Sequence, residues 1–181
     1  MAALSGVPEA KLKETEAGTV PEGEGWFVLN ARDAAWWWTD ELGQATVFEG
    51  KPGFPELGFH VEVLLPGQPN CMYHGESDQE DFLVVSGECI TILEGEERRL
   101  KAWDFVHCPP MAEHVFVGAG DGPCVIVMAG ARKSGGEILY PVNEVAAKHG
   151  ASVLEETTDG DEAYARFPQP ERTAYRDGWL P

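Results

Sequence analysis

Two histidines and a short run of carboxylates carry the chemistry of this sequence. In His74-Gly75-Glu76-Ser77-Asp78-Gln79-Glu80, a strand through His74 and Glu76 projects both side chains to one side, because strand residues two apart share a face. A chain reversal through Asp78 lets Glu80, at the start of the next strand, point into the same space. His114, opening a later strand beyond the Pro109-Pro110 bend, is the natural fourth member. Two neutral imidazoles and two carboxylates balance a divalent charge, and so oxygen-rich a set suits manganese, iron, zinc or nickel. The expected cofactor is one divalent metal ion on His74, Glu76, Glu80 and His114, its identity open. Glu76 has a second reading as a general base beside a three-ligand metal. Asp78 or Gln79 are alternatives to Glu80, and a metal-free barrel is an alternative to the whole site. Two inward carboxylates without a cation would, however, repel one another or take up a proton.

Around this centre, His60 and Glu62 alternate onto one face of an entering strand, and Tyr73, Phe82, Phe116 and Met128 are expected to supply apolar walls. His107 is expected to face outward. Arg98, Arg99 and Lys101 read as a solvated strand edge that resists aggregation. No basic residue is expected to face inward, which disfavours sugar phosphates as substrates.

The elements that must position these groups are short strands. From about residue 58 to 130, apolar runs are bounded by turn residues: Phe59 to Leu65 before Pro66-Gly67, Met72 to Glu76, Phe82 to Val85 before Ser86-Gly87, and Cys89 to Leu93 before Glu94-Gly95. Arg98 to Ala102, Phe105 to Cys108, His114 to Val117 and Cys124 to Met128 complete the series. Several runs are apolar on both faces, so the outer face of the barrel should be covered by flanking segments or by a second subunit. Residues 1–25 lack apolar periodicity and are expected to form a mobile arm. Residues 26–57 are an extension packing on the barrel, in which Asn30 and Asp33 suggest a helix start and Trp36, Trp37 and Trp38 cover a sheet or a subunit contact. Residues 131–181 form a second extension. There, Asn143 to His149 before Gly150 and Asp159 to Arg166 read as short helices, with His149 expected to serve the helix carbonyls, and a tail anchored by Tyr175 and Trp179 drapes over the domain.

These residues resemble the cupin superfamily, whose first motif has the form G-x5-H-x-H-x3,4-E-x6-G and whose second has G-x5-P-x-G-x2-H. Gly67, His74, Glu80 and Gly87 match the first, with six residues between Glu80 and Gly87, and Pro109 and His114 match the second. Three departures stand out: Glu76 replaces a histidine, Trp103 and Met111 stand where the second motif has glycines, and Gly67 is one residue further from His74 than the pattern asks. The resemblance implies an all-β fold, the double-stranded β-helix or jelly-roll barrel, with short helical segments and flanking extensions and a metal inside an open end.

The 181 residues suffice for one domain, and 43% of them are hydrophobic. A formal charge of -18 repels phosphate backbones and anionic surfaces, so neither nucleic acid nor membrane is an expected partner. With no apolar run near the ~20 residues of a membrane helix and no secretion-type start, the sequence reads as cytoplasmic. Cys71, Cys89, Cys108 and Cys124 lack paired spacing and read as reduced thiols. The doubly apolar strands also lead to the expectation of a homodimer. The functional expectation is an enzyme using one divalent metal on a small organic substrate, with isomerase, lyase and dioxygenase chemistry all compatible. A noncatalytic small-ligand or structural module is the alternative.

Overall fold

The computed structural model describes residues 6–133 and 135–181. The chain opens with a hairpin of β1 (Lys11–Thr15) and β2 (Gly18–Glu22), followed by β3 (Ala35–Trp38), β4 (Gln44–Val47) and β5 (Leu57–Leu64). Then come β6 (Gly75–Glu76), β7 (Glu80–Ser86), β8 (Glu88–Leu93), β9 (Glu96–Lys101), β10 (Phe105–Cys108), β11 (His114–Ala119) and β12 (Cys124–Ala131). The C-terminal part contributes β13 (Ile138–Leu139), the one-turn helices α1 (Glu144–Ala147) and α2 (Gly160–Ala163), and β14 (Glu171–Thr173). Among the described residues no helix is long and apolar enough to cross a membrane.

All the ladders joining these strands are antiparallel. One sheet has the order β10-β7-β12-β5-β4-β3-β14, and it faces a three-stranded sheet of order β11-β8-β9. The core between them is filled by alternate residues of both sheets: Leu64, Phe82, Val84, Ile126 and Met128 from one, Cys89 and Phe116 from the other. Period-two alternation decides the rest. On β11, His114 and Phe116 point into the barrel, whereas Val115 and Val117 point outward and pack with Ala146 of α1 and Ala151. The fold is the all-β jelly-roll barrel that the family resemblance implied.

The outer face of the large sheet is covered from within the chain. Trp36, Val63 and Val125 pack with Trp179, flanked by Tyr175 and Leu180 of the tail, and β14 pairs with β3 in the register Thr173↔Trp36. The tail therefore docks as its two aromatic anchors suggested. Of the three tryptophans, Trp36 is fully buried, while Trp37 sits under the Arg172 guanidinium at 3.8 Å and Trp38 under that of Arg176 at 4.3 Å. The helix expected from Asn30 does not form. Asn30 accepts backbone bonds from Asp33 and Ala34 in a turn, and the β-pairing of the tryptophans overrides the cap-like signal.

The expected mobile arm is corrected over Lys11 to Glu22, where five residue pairs join β1 to β2 and Thr19 donates to the Asp33 carbonyl at 2.7 Å. Backbone pairing needs no apolar periodicity, so composition gave no sign of it. The part of that expectation on residues 1–5 lies outside the described residues. His149, expected to serve helix carbonyls, instead contacts the Glu97 carboxylate through Nε2.

The motif positions have backbone reasons. Gly87 turns β7 into β8 with φ of 74°, and a Cβ there would lie 2.3 Å from the Pro123 carbonyl oxygen. Trp103 and Met111, which replace motif glycines, keep the left-handed backbone with φ of 78° and 66°. The turns thus retain the shape that glycine would supply, held in place by bonds such as Trp103 N–H to the Val84 carbonyl at 2.7 Å.

Candidate metal centre

His74 and His114 face each other across a two-bond bridge, His74 N–H to the His114 carbonyl at 3.1 Å and His114 N–H to the His74 carbonyl at 2.7 Å. Their rings lie 4.8 Å apart at the floor of an open cavity of about 360 Å³. Both imidazoles are oriented from behind. Nδ1 of His74 lies 2.8 Å from the Met72 carbonyl, and Nδ1 of His114 lies 3.0 Å from the Ala112 carbonyl. A carbonyl only accepts, so each Nδ1 carries the proton and each Nε2 turns its lone pair toward the cavity.

Those lone pairs look at carboxylates. His114 Nε2 is 3.3 Å from Glu80 and His74 Nε2 is 3.5 Å from Glu76. Ligand atoms of His74, Glu80 and His114 all lie within 4.8 Å of one another. Glu80 reaches this point because it opens β7 two residues before Phe82, whose ring lies 5.0 Å from that of His114. Glu76 lies beside the trio rather than within it, its side chain 37% exposed against 18% for Glu80. The structure thus brings His74, Glu80 and His114 together and sets Glu76 at their edge.

An arrangement of lone pairs facing carboxylate oxygens repels unless positive charge lies between them. Without a cation, protons fill that role. Burial, then the neighbouring Glu76 charge, pushes Glu80 up to about 7. Burial opposes a proton on His74, but contact with Cys71 and the Glu76 and Glu80 carboxylates outweighs it and holds the imidazole well above its usual value. Burial and the nearby His74 push His114 down to about 4, so it stays neutral. The hydrogen bond with His74 keeps Glu76 below the usual carboxylate range. The donor set, two neutral-capable imidazoles and buried carboxylate oxygen, fits a divalent metal, which would replace those protons.

The cavity walls divide along the same alternation. His60 and Glu62 line one side, with His60 Nε2 3.4 Å from the Glu62 carboxylate, and Phe82 and Met128 line another. Tyr73 and Phe116 do not reach the cavity. Tyr73 packs on the outer face of the small sheet, and its hydroxyl accepts from Gly95 N–H at 2.9 Å, while Phe116 supports Phe82 from behind at 4.6 Å. His107 faces outward and pairs with Asp81 at 2.7 Å, and β9 holds Arg98, Arg99 and Lys101 exposed.

Several polar wall residues were not legible as such. Cys71 stands 3.5 Å from His74 Nδ1, and Tyr140, Tyr164 and Arg132 come from the C-terminal extension. Arg132 corrects the expectation that no basic residue faces inward. Its guanidinium is nevertheless committed, donating to both Glu49 oxygens at 2.8 and 2.9 Å and to the Phe54 carbonyl at 2.6 Å. No periodicity marks these positions, since they lie outside the strand series. All four cysteines are unpaired, and Cys89, Cys108 and Cys124 are buried.

Residues 60–130 match the family model described as Cupin domain. No curated protein matches the chain. Among solved structures, the polyketide cyclase RemF from Streptomyces resistomycificus is 12% identical, with a TM-score of 0.55 over 79% of this chain and 94% of that one. A cupin-superfamily sugar phosphate isomerase from Silicibacter pomeroyi is 20% identical, with a TM-score of 0.47 over 60% of this chain. A protein from Acidithiobacillus ferrooxidans is 26% identical, with a TM-score of 0.46 over 48% of this chain. This chain spans 66% and 56% of the lengths of those last two.

Proposed function

The barrel of this chain is a cupin domain, and from that premise we propose that it holds one divalent metal ion on His74, Glu80 and His114 and acts as an enzyme on a small organic molecule. The observation that carries this reading is the convergence of two Nε2 atoms and a carboxylate, within 4.8 Å of one another, at the floor of an open cavity. A divalent ion there would supply Lewis acidity or a redox centre. The chain's own residues do the rest. Met72 and Ala112 fix the tautomers of the two imidazoles through their carbonyls. Phe82 and Met128 exclude water from one wall, which strengthens every charge interaction inside. Glu76, half exposed beside His74 and ionised at neutral pH, is placed to accept a proton from a bound molecule and is the acid–base group of this reading.

The same reading extends to where the protein works and with what. Its acidity argues against nucleic acid and membrane surfaces, which leaves a small molecule as the partner. A cytoplasmic setting agrees with four unpaired cysteines, and a homodimer would use the exposed apolar Phe105 at the start of β10.

The test is elemental analysis of protein purified without chelator or tag-borne metal. About one equivalent of manganese, iron, zinc or nickel is expected. No metal, even after reloading, would overturn the catalytic reading in favour of a ligand-binding or structural barrel.

A further inference from the structure

The face of the large sheet that carries His60 and Glu62 continues beyond the mouth of the metal cavity. Residues directly opposite one another in an antiparallel ladder share a face. The registers Glu62↔Ala45, Ala45↔Trp37 and Trp37↔Arg172 therefore carry one row of side chains from β5 through β4 and β3 to β14. Neighbouring strands lie ~4.8 Å apart, so Trp37 stands about 10 Å from Glu62, backbone to backbone, and the side chain between them in the row is the methyl group of Ala45. A second cavity of about 400 Å³ lies over this row, lined by Trp37, Ala45 and Arg172, and it shares Gly58, His60 and Arg132 with the metal cavity. The two spaces are neighbours across His60.

Charge distinguishes the two. In the second cavity Glu49 is held by Arg132 at 2.8 and 2.9 Å, so that pair is neutral. Arg172 has no such partner: among the described residues its guanidinium has neither a hydrogen bond nor an ion pair. Burial lowers its pKa, with no carboxylate beside it to oppose the shift. It lies 3.8 Å over the Trp37 ring, a separation that sets flat face on flat face. Such stacking orients the guanidinium and leaves its in-plane N–H groups free, the fork that takes a carboxylate through two parallel bonds. At the metal end, the carboxylates of Glu62, Glu76 and Glu80 outnumber the two charges of a divalent ion. A ligand therefore meets an open coordination position there but no surplus positive charge. The unanswered cation of the connected space, in a chain of formal charge -18, is at its far end.

We propose that Arg172, stacked on Trp37, binds the carboxylate of an elongated organic acid whose other end reaches the metal cavity. The inference rests on the metal reading above and names the substrate class of that site, a monoanionic acid with an apolar spacer. The spacer lies over Ala45 beside His60, and one guanidinium matches one negative charge, whereas a phosphate dianion would be answered only in part.

The probe is suberic acid monohydroxamate, which carries a chelating hydroxamate and a carboxylate at the two ends of an apolar chain about as long as the row. Its terminal primary amide, of the same length and without the charge, is the comparison. Both are titrated calorimetrically, at low salt, into full-length protein loaded with manganese(II). Native protein is expected to bind the acid about tenfold or more tightly than the amide. That advantage shrinks as salt is added, because Arg172 is exposed. Arg172→Gln is expected to erase the advantage and leave the amide's affinity unchanged, which also reports that the variant is folded and holds its metal. Arg172→Lys keeps the charge but not the stack or the fork, and is expected to restore only part of the advantage. Equal affinity for acid and amide in native protein, an advantage that survives in Arg172→Gln, or metal-loaded protein that binds neither probe would overturn the subsite and leave the metal reading intact. Protein that takes up no manganese would overturn the metal reading and the inference with it.

Discussion

Removing Trp179 tests whether the tail is part of the barrel's structure. Its side chain is 7% exposed, and its ring lies 5.1 Å from that of Trp36 and 6.1 Å from that of Tyr175. A buried tryptophan takes roughly 200 Å² out of water, which at about 25 cal/mol per Å² corresponds to roughly 5 kcal/mol. A tail segment relaxes more freely than a central strand and regains up to ~1–2 kcal/mol of side-chain entropy, so Trp179→Ala is expected to cost about 3–4 kcal/mol. For a domain of this size that lowers the melting temperature by roughly 10 °C. The same change uncovers Val63 and Val125 on a doubly apolar sheet, so the variant is also expected to self-associate. Urea titration followed by circular dichroism gives the first quantity and sedimentation velocity the second. A loss under about 1 kcal/mol together with unchanged sedimentation would refute the argument, because the sheet would then not depend on the tail for cover.

Four further outcomes follow from the site and the turns. His74→Ala and His114→Ala are each expected to lose most bound metal by elemental analysis, and full occupancy in both would mean the centre lies elsewhere. Glu80→Gln should weaken metal binding far more than Glu76→Gln, since only Glu80 lies within the trio; the reverse order by competitive chelator titration would make Glu76 the ligand. Metal uptake must displace the proton on Glu80, which burial pushes up to about 7, and the proton on His74, held well above its usual value, so affinity should rise as pH increases from 5 through about 7 and keep rising above it, with proton release in calorimetry. An affinity flat across that range would contradict it. Trp103 is 75% exposed and left-handed at φ of 78°, a conformation that costs a non-glycine residue about 1–2 kcal/mol. Because glycine gives back about 0.5–1 kcal/mol in chain entropy, Trp103→Gly should raise stability by up to ~1 kcal/mol, and a fall of similar size in thermal melts would show that the indole holds contacts.

The barrel strands were legible because each depends on local signals, apolar runs closed by Pro66-Gly67, Ser86-Gly87 or Glu94-Gly95, and those turns act within a few residues of themselves. The helix caps Asn143 and Asp159 were legible for the same reason: their side chains accept from N–H groups two or three residues on. Spacing set His74, Glu76, Glu80 and His114 as one expected group, since alternation along a strand settles which face a side chain takes, and the structure brings three of them within 4.8 Å of one another and leaves Glu76 at their edge. Where an expectation went astray, a distant partner had decided the outcome. The strand β3 formed in place of a helix because β4 and β14 flank it, and β1–β2 paired in a stretch whose composition gave no hint of order.

The cavity walls belong to the second kind. Arg132, Tyr140 and Tyr164 come to the cavity wall only when the chain after β12 folds back over the open end of the barrel, while Cys71 reaches His74 from the loop before β6. The Tyr164 hydroxyl accepts from the backbone N–H of Met72, 92 residues earlier in the chain. Sequence by itself determined the fold class and placed His74, Glu76, Glu80 and His114 in one candidate set, because periodicity and turn chemistry are local properties of the backbone. Tertiary structure alone decided that Arg132 is already held by Glu49, that Glu76 stands at the edge of the trio, and that the Tyr140 ring packs against His74, because each is a contact between side chains brought together across long loops.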